Sequence, residues 1–567
     1  MTRKNFYLFF LFLSATLFAQ NQYPTDYFRA PLDIPLLLSG SFGELRNNHF
    51  HTGLDFKTQQ KEGFKVYAAA DGYISRIKIS SYGYGKAIYI DHPNGFTTVY
   101  GHLSDGYGLV KTYIDSTHYK DQAFEIEMFP KAGDLPVKKG DVIAFSGNSG
   151  GSGGPHLHFE FRDTKSEKVI NPFFFGFDKL IADTKKPVIN TLMVYPIGDS
   201  TTVNQSQRPL AVNVVLQADG NYIADKILAK GSIGFGISTY DGFDFTYNKN
   251  GPFKLATLSN GTKFFSYQFD TFGFDEGRYI NALLDYRRFK KTGMRIQKLF
   301  FSPTFPLSII STGFENGIIE VSPNLNRNFK IEVSDFNNNK VSIDIPIEYA
   351  DLPVTANKEP QKTTNYFLKA KNDNNYKKDN VSVFVPANTF YEDFYLDFDV
   401  QKNVLTFADD AIAVHANFNV TFEDSIATSI QKEKMFIASL DGTKLTYNAT
   451  KSKGNMLTTY TKNLGQFTLA IDTIAPKITP LNIKVGKWLS KQTTLQLAIS
   501  DNLSGINKFD GFLNGKWILF EFDYKTKKIT HNFSDGIFVD GRNDLKVVVS
   551  DNVGNSTIFE THFFRKK

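Results

Sequence analysis

A chain of 567 residues is too long for one hydrophobic core and is expected to divide into roughly three to five domains. Hydrophobic and charged fractions of 41% and 22% exclude wholesale disorder, and a formal charge of only +6 without a concentrated basic stripe argues against nucleic acid as a partner. The absence of cysteine excludes disulfides, iron–sulfur clusters, thiolate zinc sites, a cysteine nucleophile and lipid attachment at a cysteine.

At the N-terminus, Arg3 and Lys4 precede an apolar run from Phe6 to Leu13 and a small-residue cut position after Ala19, the pattern of a signal peptide over 1–19. The run is too short to span ~30 Å of hydrocarbon, which takes about 20 residues, and no second long apolar run follows. The mature chain is therefore expected to be exported without a transmembrane anchor, to the periplasm or outside the cell. Aromatic residues make up 15%, with 55 Phe and 27 Tyr against 2 Trp, which favours a strand-rich protein.

Seven of the 10 histidines fall before residue 160, so metal or proton-transfer chemistry belongs to the first third. Three segments there stand out: His51-Thr-Gly-Leu-Asp55, Val99-Tyr-Gly-His102-Leu103 and Gly154-Pro-His156-Leu-His158-Phe-Glu160. On a strand, residues i and i+2 share a face, so His156 and His158 can converge while Leu157 faces a core. His51 and Asp55 are also an even number of positions apart, and Thr52 and Gly53 argue against a helix. Two imidazoles and one carboxylate suit zinc and leave a fourth position for water, as a catalytic site requires. Each piece alone is weak, since a lone His-x-His on a strand is more often incidental. The connection from Leu103 to Val137 is long, and Phe124–Phe129 within it alternates like a strand. The Gly/Ser loop 147–154 is expected to wall a substrate groove.

After about residue 185, short alternating strands separated by Asn, Asp and Gly turns suggest β-sandwiches. Asp183-Thr-Lys-Lys-Pro187 is echoed by Asp472-Thr-Ile-Ala-Pro476, and Val333-Ser-Asp335 by Val549-Ser-Asp551. The segment 472–567 resembles bacterial immunoglobulin-like modules, and 357–380, rich in Lys, Asn and Thr, is expected to be an exposed loop or linker.

In combination, the three histidine segments resemble the lysostaphin/LytM zinc endopeptidases, whose pattern is HxxxD, then Tyr-x-His-Leu, then Gly-Pro-HLH-Phe-Glu. Phe42-Gly-Glu-Leu-Arg46, Asp91-His-Pro-Asn-Gly95 and Val137-Lys-Lys-Gly-Asp141 also look like family features, and the resemblance covers about residues 35–175. It implies one Zn2+ held by His51, Asp55 and His158, with His102 and His156 as non-ligand catalytic histidines. Its implied function is hydrolysis of peptide cross-links in bacterial peptidoglycan; the alternative is a non-catalytic LytM-type regulator or scaffold that activates a wall amidase. His49, two before His51, competes as a ligand by spacing, but the family register favours His51. His92 is expected to be structural, beside the Asn94-Gly95 turn, and His118 to lie on the surface.

The expected fold is mainly β: an antiparallel β-sheet LytM-type peptidase domain over 20–185, then a β-sandwich over 186–302, a β-rich segment over 303–356, a sandwich over 357–471 preceded by an exposed loop, and an Ig-like sandwich over 472–567. The C-terminal modules could also offer a surface to a cell-envelope protein partner.

Overall fold

Period-two alternation sets the first domain. Along the strand His156–Asp163, Leu157, Phe159 and Phe161 point to one face and are 0% exposed, while His156, His158, Glu160 and Arg162 take the other. In the computed structural model, which describes residues 23–566 apart from 302, 303, 314, 326 and 361, this strand is central to an antiparallel sheet. The expected signal peptide lies outside the described residues.

On one side the strand pairs with Leu54–Lys57, aligning His158 with Asp55; on the other it pairs with Phe96–Gly106, aligning His158 with Gly101. Lys86–Asp91 and Gly72–Ile79 continue the sheet outward. Val142–Ser146 crosses the far end of Phe96–Gly106 and delivers the chain into the Gly/Ser loop.

The long connection after Leu103 contains a helix, Leu109–Asp121, which the sequence reading did not foresee. It buries Val110, Ile114 and His118, a four-residue spacing that makes one narrow apolar face. His118 is therefore not a surface residue. It is 2% exposed, with Nδ1 at 2.8 Å from the Ala123 carbonyl, where it helps close the end of the helix. The strand expected from Phe124 to Phe129 is shorter, Ile126–Met128, and pairs with Gly72–Ile79.

Beyond residue 185 the architecture remains mainly β. The segments separated at 302/303 in the sequence form one unit, because each supplies strands to the same two sheets. A six-stranded sheet built on Val188–Val203 and Ile227–Tyr240 takes in Ile319–Val321 and Ile347–Tyr349. A seven-stranded sheet interleaves Lys254–Ser259 and Thr262–Gln268 with Phe329–Ser334 and Lys340–Ile345. Ile331, Val333 and Ile343 of the later segment, all 0% exposed, lie in one core with Leu255, Phe265 and Tyr267 of the earlier one. Next come two five-stranded sheets, within residues 374–471, and two four-stranded sheets, within residues 477–565. Part of the expected loop 357–380 is strand: Asn374–Lys378 pairs with Val381–Val385 and turns only Tyr376 fully inward.

One apolar core runs from Phe28 to Ile345 and joins the peptidase sheet to the first sandwich. Separate cores serve residues 368–467 and 483–563. The junction is intimate. Thr271–Phe272 adds to the peptidase sheet by pairing with Val169–Ile170, and Phe42 and Phe50 pack their rings 5.1 and 5.5 Å from that of Phe272. Among the described residues, no helix is long and apolar enough to cross a membrane.

Candidate metal centre and active site

The sheet register brings three donor atoms together. His51 Nε2 lies 3.1 Å from Asp55 Oδ1 and 3.2 Å from His158 Nδ1, and His158 Nδ1 lies 2.9 Å from Asp55 Oδ1. Ligands about 2.0–2.1 Å from a tetrahedral zinc stand roughly 3.3 Å from one another. A triangle with these edges fits one such ion, and the donor set is a borderline-soft cation's choice. All three residues are buried.

Each donor is oriented by a further contact. His51 donates Nδ1–H to the Ser41 carbonyl at 2.8 Å, which leaves Nε2 with its lone pair facing the cluster. His158 donates Nε2–H to Glu160 Oε1 at 2.8 Å, which points Nδ1 into the cluster. Arg46 Nη2 donates to Asp55 Oδ2 at 3.2 Å and holds that carboxylate from behind. Glu160 is itself 0% exposed and accepts from Thr52 and from Arg162 Nε at 2.8 Å; the Tyr84 ring stacks on His158 at 5.0 Å.

Two further imidazoles flank the triangle. His156 Nδ1 donates to the Gly154 carbonyl at 2.8 Å, and its Nε2 lies 3.4 Å from Asp55 Oδ1. His102 Nδ1 donates to the Ser149 carbonyl at 2.8 Å, and its ring centre is 4.7 Å from that of His156. His102 has φ 58°, a left-handed conformation costly for a residue with a Cβ, at an irregularity in the pairing of its strand. The carbonyls of the Gly/Ser loop thus orient both imidazoles.

Burial is the main force on His102 and, with charge on His158 and His156, pushes it down to about 3, so this ring is neutral near pH 7. Burial also acts to lower His158, but its hydrogen bonds to Asp55 and Glu160 prevail and hold it up at about 9. For Asp55 and Glu160, burial opposes ionisation and is outweighed. His51, His156 and His158 hold Asp55 well below the usual carboxylate range, and Arg162 and His158 do the same for Glu160.

The structure brings His51, Asp55, His102, His156 and His158 into one site. His49 lies outside the triangle, exposed and bonded through Nδ1 to the Asn47 carbonyl. His92 sits away from it, held between the Asp71 carbonyl and Thr98 Oγ1, each at 2.8 Å. Glu160 and Arg162, which carry no role in the expected site, join it through His158. Their signal was present, since His158, Glu160 and Arg162 follow at every second position and must share a face.

The far end of the chain also reaches this region. Lys525 Nζ donates to the carbonyls of Asn148 and Ser152 in the Gly/Ser loop, the latter at 3.3 Å, and Lys86 Nζ pairs with Glu521 at 2.8 Å. The Tyr82 and Tyr524 rings meet at 4.7 Å.

A two-histidine, one-carboxylate cluster on an antiparallel sheet, with two free-standing imidazoles beside it, defines a site of the metallopeptidase class. Residues 49–115 match the model of Peptidase family M23, and the chain carries a peptidase domain of this lysostaphin/LytM type. Residues 365–472 match a Zu5-like domain. The chain is similar to the DD-carboxypeptidase/endopeptidase Mpg of Neisseria meningitidis serogroup B, 33% identical over 162 residues that cover 28% of this chain and 31% of that protein. It is also similar to an uncharacterized metalloprotease of Haemophilus influenzae, 36% identical over 122 residues, 22% of this chain and 20% of that one. The chain thus spans less than a third of the length of these curated relatives. Among solved structures, the catalytic domain of the antimicrobial peptidase lysostaphin from Staphylococcus simulans aligns at 27% identity, covering 25% of this chain and 92% of that one, with a TM-score of 0.19.

Proposed function

We propose that this protein is an exported zinc-dependent endopeptidase that hydrolyses peptide cross-links of bacterial peptidoglycan, with His51, Asp55 and His158 as its metal ligands. The observation that carries the reading is the convergence of His51 Nε2, Asp55 Oδ1 and His158 Nδ1 within 3.2 Å of one another, each oriented by its own outer partner. When bound, zinc supplies Lewis-acid chemistry, bringing the pKa of water to about 7 and polarising a peptide carbonyl.

The chain's own residues supply the proton handling. His102 donates Nδ1–H to the Ser149 carbonyl and so keeps a lone pair on Nε2, while His156 turns its Nε2 to Asp55 Oδ1 at 3.4 Å. Burial keeps His102 neutral, and it begins as a proton acceptor rather than a donor. A neutral imidazole that takes a proton from the attacking water can return it to the leaving amine. Once protonated, the same ring is a hydrogen-bond donor to developing negative charge. The neisserial relative, named as a DD-carboxypeptidase/endopeptidase, supports a peptide bond as the one cleaved.

The test is zinc analysis of the full chain together with mass spectrometry of fragments released from peptidoglycan of defined cross-linking. One zinc per chain and new free amines at the cross-link are expected, with both lost in His158→Ala. Stoichiometric zinc without any cleavage would point instead to a regulator or scaffold.

A further inference from the structure

We propose that Asp183, Asp241 and Asp335 form a calcium site that fixes the chain where it leaves the peptidase domain and enters the first sandwich. Each of the three carboxylates presents an oxygen within 4.8 Å of the other two. Asp241 is 1% exposed, and its Oδ1 is buried without a hydrogen-bond partner among the described residues. Asn250, which exchanges backbone hydrogen bonds with Asp241, is 2% exposed and has both side-chain amide atoms unpaired. A buried carboxylate left unsatisfied beside two others is expensive, and proteins meet that cost by pairing the charge or by coordinating a metal.

Among the described residues, no cationic side chain is paired with the triad. Lys185 is the lysine whose charge reaches Asp241, yet it turns Nζ to the carbonyls of Phe243 at 2.8 Å and Thr246 at 3.4 Å. Burial first, then the charges of Asp183 and Asp335, push the Asp241 carboxyl up to about 8, the response of a group whose counter-ion is missing from the side chains around it.

The donors are all oxygen, which selects a hard cation over zinc. Calcium accepts 6–8 oxygen ligands at about 2.3–2.6 Å with tolerant geometry, so two of its ligands can stand up to roughly 5 Å apart. Magnesium holds its water tightly and rarely enters a cage made wholly of protein. A triad with two buried members and one half-buried, with the Asp241 and Asn250 side-chain oxygens unpaired, therefore suits calcium.

The arrangement is built by the motif that the sequence repeats. Asp335 accepts from the backbone and side-chain nitrogens of Asn339 at 2.8 and 2.6 Å, and Asn339 Nδ2 also donates to the Asp183 carbonyl at 3.3 Å. In the last module, Asp551 accepts in the same way from Asn555 at 2.8 and 2.7 Å, and Asn555 Nδ2 donates to the Asp472 carbonyl at 2.9 Å. The third acid follows the same register: Val188 pairs with Tyr240 just before Asp241, and Lys477 pairs with Ser500 just before Asp501. Asp472, Asp501 and Asp551 form a second triad of the same kind. There, backbone amides of Ile474 and Ser504 already serve Asp472, and the calcium assignment is made for the first triad alone.

The experiment measures bound calcium by equilibrium dialysis and thermal unfolding of the zinc-loaded full chain, with calcium, magnesium or sodium chloride at matched ionic strength. It compares the natural chain with Asp241→Asn, which keeps the shape and removes the charge, and with Asp183→Asn. The expected result is that each variant binds one calcium fewer than the natural chain and loses the calcium-specific part of the rise in Tm. Asp241→Asn should also unfold no earlier than the natural chain when calcium is absent, because the carboxyl it replaces is already neutral near pH 7 without the ion; this outcome separates loss of a site from loss of the fold. Equal calcium binding in all three proteins, no calcium bound by the natural chain at millimolar concentration, or an equal Tm rise with magnesium would overturn the assignment.

Discussion

His158 points Nδ1 into the cluster because Glu160 accepts a hydrogen bond from its Nε2–H, and Glu160 stays ionised because Arg162 lies against it. The chain of dependence runs along one strand face, and it predicts that Glu160→Gln harms the site without touching the metal. The amide can still accept from His158, but Arg162, only 4% exposed, loses its buried counter-charge. Breaking a buried pair from one side costs about 3–5 kcal/mol, and loss of an outer partner typically weakens metal binding about 10–100-fold. Competition with a zinc chelator and denaturant unfolding measure the two effects; unchanged values in both would remove Glu160 from its proposed role. His102→Ala and His156→Ala should behave in the opposite way. Neither residue is among the three converging donors, so each variant should retain one zinc per chain while turnover falls about 10²–10⁴-fold, the usual loss for a general acid–base group. Near-normal turnover in both would remove them from the mechanism.

At the scale of elements, the sequence was legible where one periodicity governed both packing and chemistry. Leu157, Phe159 and Phe161 alternate with His156, His158 and Glu160, so a strand, its buried face and its polar face could all be read from one segment. The helix Leu109–Asp121 was not legible, since only three of its residues are buried and the rest are polar or exposed, which leaves a weak amphipathic signal. The sequence places the Gly/Ser loop next to the His156 strand, but it could not show that the Ser149 carbonyl would meet His102, because those two residues are 47 apart in the chain. Gly147 shows what the contact demands. A Cβ there would stand 2.4 Å from Ser104 N and 2.8 Å from the His102 carbonyl, both backbone atoms that cannot step aside without moving the strand. Gly147→Ala is therefore expected to cost about 1–3 kcal/mol, as overpacking does, and to lower turnover with zinc retained. Calorimetry, zinc analysis and a cleavage assay on the same preparation check this, and an unaffected variant would mean the loop tolerates displacement.

At the scale of the molecule, the five polar residues of the site all lie before residue 160, yet the structure around them does not end at 185. Ser41, whose carbonyl orients His51, is held by hydrogen bonds between its Oγ and the Gly251 backbone at 3.1 and 3.3 Å. Asn47 and Asn48, in the turn before His51, are bound by Arg295 at 3.1 Å and Asn281 at 2.9 Å. Phe42 and Phe50 pack on Phe269 and Phe272, and the strand Val169–Ile170, paired on one side with His156–Asp163, finds its second partner in Thr271–Phe272. A chain ending at Lys185 loses all of these at once. Removing one buried Phe typically costs about 3–5 kcal/mol against a total stability of about 5–15 kcal/mol, so the loss of both rings alone approaches the whole reserve. The expected outcome is that residues 23–185 give no cooperative unfolding transition and bind zinc weakly, whereas residues 23–356, which retain the shared core, fold and hold one zinc. Thermal unfolding and zinc analysis of the two chains decide the matter. If the shorter chain unfolds cooperatively with zinc bound, then the peptidase sheet stands alone, and the sandwich contacts to Ser41, Asn47 and Asn48 position the site without sustaining it.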